Sequence, residues 1–290
     1  MKINELLARF ETENDCKKYL TERRWPTGVR CPKCNSEKVF HVTHRPFHWV
    51  CKKCNKNGYR FSVLTKTVFE NTKYPLRDWF KVIFLMYSSK KGMSAHQIHR
   101  MLGTGSYETA WYMCHRIRAA MRNDEFFRLV GEVEVDETYV GGKNRNRHKN
   151  KRTSGTGGIG KIPVVAAIAR KGSIVAKVIE EADTKTLDKF VNETVSDTVK
   201  LVATDENPSY RLLKNEGYPH ETVSHSKGEY VRGNVHTAHI DSFWSLLKRG
   251  IVGNYHKVSR DYLPLYVAEF TFRHNHRKDP DIFGSIIAGC

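Results

Sequence analysis

The sequence predicts a mixed α/β protein in which a small metal-stapled module and a helical segment precede a larger domain of strands and helices. Three observations predict it. Four cysteines fall as two Cys-x-x-Cys pairs in the first sixty residues. Between residues 72 and 122 apolar residues recur at helical spacing. From residue 131 the period shortens to that of strands, and strands then alternate with helices, the pattern of a layered α/β domain.

The elements follow in order. Residues 1–22 carry a short helix running from Glu5 to Phe10 and on towards Tyr19 and Leu20. Residues 23–70 are rich in cysteine, aromatic and basic residues with little helical periodicity, so residues 1–70 read as an N-terminal segment with the metal module. Residues 71–125 read as helical. Pro75 suits a first helical turn, with Trp79, Ile83, Met86 and Tyr87 spaced behind it. Ser94 can cap a helix over 95–102, Gly103-Thr104-Gly105 breaks the chain, and Ser106 can cap a helix over 107–121. Ala110, Met113, Ile117 and Met121 line one face of that last helix, with Tyr112, Arg116 and Arg122 away from it. A short glycine turn between two helices fits a DNA-binding helix-turn-helix, with an ordinary helical hairpin as the alternative. Residues 126–290 form the α/β domain, with strands over 131–140, 162–169, 173–179 and 200–203 and helices over 184–195 and 237–249.

Charge narrows the partners. Lysine and arginine number 49 against 31 acids, a net charge of +18, which a compact protein tolerates best against a polyanion. Nucleic acid is therefore the first partner expected. The basic residues form no amphipathic helix with a bulky apolar face, and no apolar run approaches the ~20 residues that span a bilayer, so no membrane partner is expected. The opening residues lack a signal-peptide apolar stretch, which predicts a cytoplasmic, nucleoid-associated protein with reduced thiols. Between Glu137 and Glu180 there is no acid but there are ten lysines or arginines. Most lie in a glycine-rich stretch between two strands, so Lys143, Arg145, Arg147, Lys149, Lys151 and Arg152 are candidate DNA contacts, with Arg116 of the helical segment beside them.

Cys31-Pro-Lys-Cys34 and Cys51-Lys-Lys-Cys54 stand sixteen residues apart. Two such knuckles supply the four thiolates of a closed tetrahedral Zn²⁺ site, which is structural because no position stays open. A thioredoxin-like redox pair would account for one knuckle only. His41, His44 and His48 between the knuckles read as surface or packing residues, and Cys16, Cys114 and Cys290 have no partner motif.

Three acids stand out by position. Asp136 ends an alternating strand, Asp205 directly follows a short buried strand, and Asp241 sits on an amphipathic helix with Lys248 two turns further along the same face. Two strand-end acids and one helix acid can converge on a pair of hard cations, Mg²⁺ or Mn²⁺, for in-line displacement at phosphorus. Lys248 can hold a phosphate as a point charge. Glu134, on the same side of its strand as Asp136, can replace it or support it from behind.

Several ordered motifs then carry a resemblance. Gly131-Glu-Val-Glu-Val-Asp-Glu-Thr-Tyr-Val-Gly-Gly142, Ala203-Thr-Asp205, Tyr230-Val-Arg-Gly-Asn-Val-His236, Ile240-Asp-Ser-Phe-Trp-Ser-Leu-Leu-Lys-Arg-Gly250 and Phe272-Arg-His-Asn-His-Arg277 resemble those of bacterial insertion-sequence transposases of the Asp-Asp-Glu class that carry an N-terminal zinc ribbon. The resemblance implies a ribonuclease-H-like (integrase-like) catalytic domain and Mg²⁺-dependent cleavage and strand transfer. It also implies binding of the element's terminal inverted repeats and of target DNA, by a homodimer or larger assembly. Asp136 and Asp205 match the first two catalytic acids, and Asp241, with Lys248 at +7, stands where the pattern commonly has glutamate. The alternative is a catalytically decayed or regulatory zinc-ribbon DNA-binding protein.

Overall fold

The computed structural model describes residues 1–122, 128–142, 146, 148–152 and 158–290. The chain forms two compact units, residues 1–122 with 279–290, and residues 123–278.

The first unit opens on two helices, α1 (Ile3–Arg9) and α2 (Glu13–Arg24), where the sequence suggested one. They separate at Thr12, whose hydroxyl accepts from the Asp15 amide while the Asp15 carboxylate accepts from the Thr12 amide, a reciprocal cap that begins a new helix. A three-stranded antiparallel sheet follows, β1 (Val39–His41), β2 (His48–Cys51) and β3 (Tyr59–Ser62). Trp49 and Phe61 stack across it with ring centroids 5.8 Å apart. The helices α3 (Leu76–Ser88), α4 (Ala95–Leu102) and α5 (Tyr107–Ala120) come next. Ser94 and Ser106 cap α4 and α5 through the amides of Gln97 and Thr109, and Gly103 ends α4 in the left-handed conformation at φ 62° that glycine adopts without strain. Ala110, Met113, Ile117 and Met121 are all buried.

Residues 279–290, expected with the α/β domain, belong to this first unit. The reason is apolar: Phe283 of the helix Ile282–Gly289 lies within 5.4–6.0 Å, ring to ring, of Phe10, Tyr19 and Phe80. Each fully buried ring of this kind contributes on the order of 2 kcal/mol.

The second unit is built on a five-stranded mixed sheet formed by β4 (Glu132–Val140), β5 (Ile162–Ala169), β6 (Ile174–Val178), β7 (Leu201–Thr204) and β8 (His220–Thr222). Its order is β6-β5-β4-β7-β8, with β4, β5 and β6 antiparallel and β7 and β8 running parallel to β4. Helix α6 (Thr184–Thr194), capped by Asp183, links β6 to β7. A small hairpin, β9 (Val231–Arg232) and β10 (Val235–His236), leads into α7 (Ala238–Gly250), a π-helical turn (Ile251–Tyr255) and α8 (Leu263–Asn275).

Alternation along the strands sorts the two layers. Val133, Val135, Val165, Ala167 and Val202 face Leu187, Phe190 and Val191 of α6. Val140, Val164, Ala166 and Ile168 face Ile240, Phe243, Trp244 and Leu247 of α7 and Leu263, Val267 and Phe270 of α8. The even positions of β4, which include Glu134 and Asp136, therefore belong to the α7 side. This is the mixed α/β, ribonuclease-H-like layering expected from the sequence. Among the described residues no helix is long and apolar enough to cross a membrane.

Candidate active site and metal centre

The cysteine quartet is assembled by local turns. Cys31 and Cys34 sit in the turn before β1, where the Asn35 amide donates to the Cys31 carbonyl at 2.8 Å, while Cys51 ends β2 and Cys54 follows it. The Sγ atoms of Cys31 and Cys54 are 3.5 Å apart and those of Cys34 and Cys51 are 3.7 Å apart, with all four sulfurs within 4.8 Å of one another. A tetrahedral zinc with ~2.3 Å bonds separates its sulfurs by about 3.8 Å, so the quartet fits a structural Zn²⁺. Among the described residues no histidine joins it: the Nδ1 of His48 lies 3.0 Å from the Pro46 carbonyl, and the His41 ring packs on Trp49. Cys16 is buried, which pushes its thiol up to about 12 and leaves it inert.

The acids converge where the parallel part of the sheet stops. Strand β4 pairs with β7 from Glu132 opposite Leu201 only as far as Glu134 opposite Ala203. Asp136 and Asp205 each lie two residues beyond that last pair, and so stand level with each other. Asp136 is not at the end of its own strand, as the sequence suggested, because β5 keeps β4 paired as far as Val140. What ends at this level is β7.

Glu137 joins them. Alternation sends it to the α6 side of the sheet, yet one oxygen of each of Asp136, Glu137 and Asp205 falls within 4.8 Å of the others. Tyr210 donates its hydroxyl to Glu137 at 2.7 Å and Asn207 its amide nitrogen at 2.6 Å. The backbone N–H of Asn207 donates to Asp205 at 3.0 Å, so one asparagine holds two of the three acids. Trp244 donates its indole N–H to Asp136 at 2.9 Å. Burial first, then the charges of Glu137, Asp205 and Asp241, pushes Asp136 up to about 8. Burial also raises Glu137 against the opposing bond from Tyr210. Partly buried carboxylates this close repel one another, and a hard cation relieves that repulsion. The oxygen donor set and its electrostatic deficit both fit a divalent ion.

Asp241 lies in the first turn of α7 and accepts the Thr237 hydroxyl at 3.1 Å. It is exposed and outside the compact set of three, although its charge helps to raise Asp136. Trp244 and Lys248 follow it at +3 and +7 on one stripe of the helix. The Trp244 bond to Asp136 aims that stripe at β4. Lys248 is exposed, and seven residues at 1.5 Å carry it ~10 Å along the axis from Asp241.

Glu134, the alternative to Asp136, lies outside the cluster of Asp136, Glu137 and Asp205. It is fully buried and is bound by Arg170 and by the N-terminus of α7. It shares the α7 side of β4 with Asp136, but the helix end reaches it and the acid cluster does not.

Of the basic residues singled out, Lys143, Arg145 and Arg147 lie outside the described residues, as does the side chain of Lys151. Lys149 and Arg152 are exposed at the start and the end of a short 3-10 turn. Arg116 donates to the carbonyls of Glu70 and Thr67 and to the Tyr112 hydroxyl, tying α5 to the segment before α3. Sequence reasoning missed Glu137, Asn207, Tyr210 and Trp244. Only the adjacency of Glu137 to Asp136, and the place of Asn207 two residues after Asp205, hinted at two of them.

Comparisons with known proteins bear on the family of the chain. Residues 128–275 match the model of the ISXO2-like transposase domain, and residues 11–57 that of a transposase zinc-ribbon domain. A protein described as uncharacterized in transposable element ISH50 of Halobacterium salinarum is 31% identical over 287 residues, covering 94% of this chain and 95% of its own length. A chain of a simian T-cell lymphotropic virus intasome, in complex with PP2A regulatory subunit B56 gamma, is 15% identical. The match covers 67% of this chain and 65% of that one at a TM-score of 0.30, a likeness too slight to carry weight.

Proposed function

The chain belongs to the ISXO2-like transposases, and on that premise we propose that it cleaves DNA at the ends of its insertion sequence and joins the freed 3′-hydroxyls to target DNA. The observation that carries this reading is the convergence of Asp136, Glu137 and Asp205 at the open end of the β4–β7 pair. In the first displacement a water oxygen attacks the phosphorus, the bond to the 3′-oxygen breaks, and that oxygen leaves as the element's 3′-hydroxyl. In the second, the 3′-hydroxyl attacks a target phosphodiester and displaces a target 3′-oxygen. Mg²⁺ or Mn²⁺, held by Asp136, Glu137 and Asp205 and approached by Asp241, would supply the positive charge that both displacements need at the attacking and leaving oxygens.

The chain's own groups orient and hold. Asn207 and Tyr210 fix the carboxylates of Asp205 and Glu137, so little reorganisation is required when charge develops. The Trp244 indole fixes one Asp136 oxygen and leaves the other for an ion. Lys248, exposed on the same stripe of α7, offers a point charge to a DNA phosphate. Double-stranded DNA, both the terminal inverted repeats and the target, is the substrate. The zinc ribbon, α4–α5 and the basic residues between β4 and β5 supply its contacts. Two ends must be joined together, so the working form is a homodimer or a larger assembly on DNA.

The test is a strand-transfer assay on a duplex carrying the element's end, with and without magnesium and with Asp205→Asn. Joined products that need both the metal and Asp205 support the reading. Cleavage without joining would make the protein a nuclease. Tight binding with no chemistry would make it a regulatory or decayed DNA-binding protein.

A further inference from the structure

Helix α7 has no cap of its own. Thr237, at the cap position, makes no side-chain bond to the helix amides. The amides of His239 and Ile240 are instead taken by Glu134 Oε2, from a strand more than a hundred residues away, at 2.9 and 3.1 Å. The other oxygen, Oε1, accepts Arg170 Nε at 2.9 Å and lies 2.9 Å from His239 Nδ1. His236 Nδ1 is 3.2 Å from the same oxygen without hydrogen-bond alignment. Arg170 then spreads: its Nη1 reaches Glu132 at 2.6 Å and its Nη2 the His236 carbonyl at 3.2 Å. Glu134 is completely buried and Arg170 nearly so. A lone carboxylate there would be costly, and here every acceptor direction is used.

We propose that Glu134, locked by Arg170, is a positioning residue that sets the depth and rotation of α7 and thereby brings Asp241 to the Asp136 side of the sheet. The proposal rests on the transposase reading only for its catalytic consequence. The clamp sits two residues before Asp136 on β4 and grips His239, two residues before Asp241 on α7. A slip at the clamp therefore passes directly into the separation of the two acids, and a displacement near 1 Å can cost on the order of a hundredfold in rate. A negative charge at the positive end of the helix adds to the hold. Glu134, His236 and His239 also have metal-ligand spacing. Both carboxylate oxygens are occupied, however, and the Arg170 charge beside them opposes a cation.

The clamp is tested on the free protein with Glu134→Gln, and with the milder Arg170→Lys, which keeps the charge but loses the fork. Fluorescence of Trp244, isolated by subtracting a Trp244→Phe background, reports whether its indole still docks on Asp136. Mn²⁺ affinity read by electron paramagnetic resonance reports the acid site. A positioning role requires a shifted Trp244 spectrum in both variants, a Mn²⁺ affinity lowered about tenfold in Glu134→Gln, and no further loss when Asp241→Asn is added. A Trp244 spectrum unchanged in folded Glu134→Gln would overturn the proposal, as would penalties that multiply in the double variant. If the spectrum shifts but the unmodified chain binds no Mn²⁺, the positioning stands and the transposase reading falls.

Discussion

Asp136→Asn should make the metal-free protein more stable at neutral and alkaline pH, although it removes the acid central to the site. In the folded chain Asp136 is pushed from 3.8 to about 8, by burial first and then by Glu137, Asp205 and Asp241. A carboxyl with a raised folded value binds its proton more tightly folded than unfolded. Its burden on stability is therefore absent below the unfolded value and grows as pH rises from 3.8 to about 8. At pH 7 the difference of roughly three pH units corresponds to a ceiling of about 4 kcal/mol. Asparagine keeps an oxygen for the Trp244 indole, and solvent reaching this partly open site lowers the ceiling, so a net gain of about 2–3 kcal/mol is expected. For a unit of this size that is about 5–10 °C in Tm. The assay is thermal or urea unfolding in magnesium-free, zinc-replete buffer at about pH 4 and pH 8, repeated with millimolar Mg²⁺. The gain should be present at the higher pH and vanish at the lower. Magnesium should stabilise the native chain and leave Asp136→Asn unmoved. A variant no more stable than the native chain at pH 8 would refute the electrostatic argument.

Four further outcomes are expected. Removing zinc with a strong chelator, or Cys34→Ser, should melt the β1–β3 sheet while the strands around Asp136 stay folded; metal analysis with amide exchange would show protection lost throughout residues 31–62 if the quartet is the staple. Glu137→Gln should lower Mn²⁺ affinity about tenfold while Glu206→Gln, an exposed neighbour, leaves it alone, and calorimetric titration of both variants checks this. Asp241→Glu should keep or raise strand transfer and Asp241→Ala abolish it, whereas full activity in the alanine variant would remove Asp241 from the site. His220 is held down from 6.5 to about 4 by burial, its Nε2 2.8 Å from the Thr204 hydroxyl, so it contributes stability above pH 6.5 that is lost as pH falls towards 4. His220→Gln should flatten that acid limb by about 1–2 kcal/mol after solvent screening, as urea midpoints across the window would show.

Features set by neighbours in the chain are legible in the sequence itself. Ser94, Gly103 and Ser106 mark the ends of α4 and α5 because a cap acts within three residues of itself. The zinc quartet is legible for the same reason: each knuckle aims two sulfurs by a local turn, and only one distance between the knuckles remains to be closed. Asp136, Asp205 and Asp241 can be named from their places on strands and helix, but the convergence of Asp136 and Asp205 with Glu137 cannot. That depends on which strands become neighbours.

Composition, the Cys-x-x-Cys pairs and the alternation of β4 thus determined a basic, zinc-stapled α/β protein with Glu134 and Asp136 on one side of a strand, because charge, spacing and period are local quantities. Tertiary structure alone decided the rest. Glu137 enters the site only because β7 ends at Thr204 and leaves the sheet open between its two sides. Glu134 leaves it because the uncapped start of α7 arrives at that point and its orphan amides claim the carboxylate. Residues 279–290 join the first unit because Phe283 finds its aromatic partners there. Each outcome turns on two groups far apart in sequence satisfying one another, and a linear pattern does not encode the distance between them.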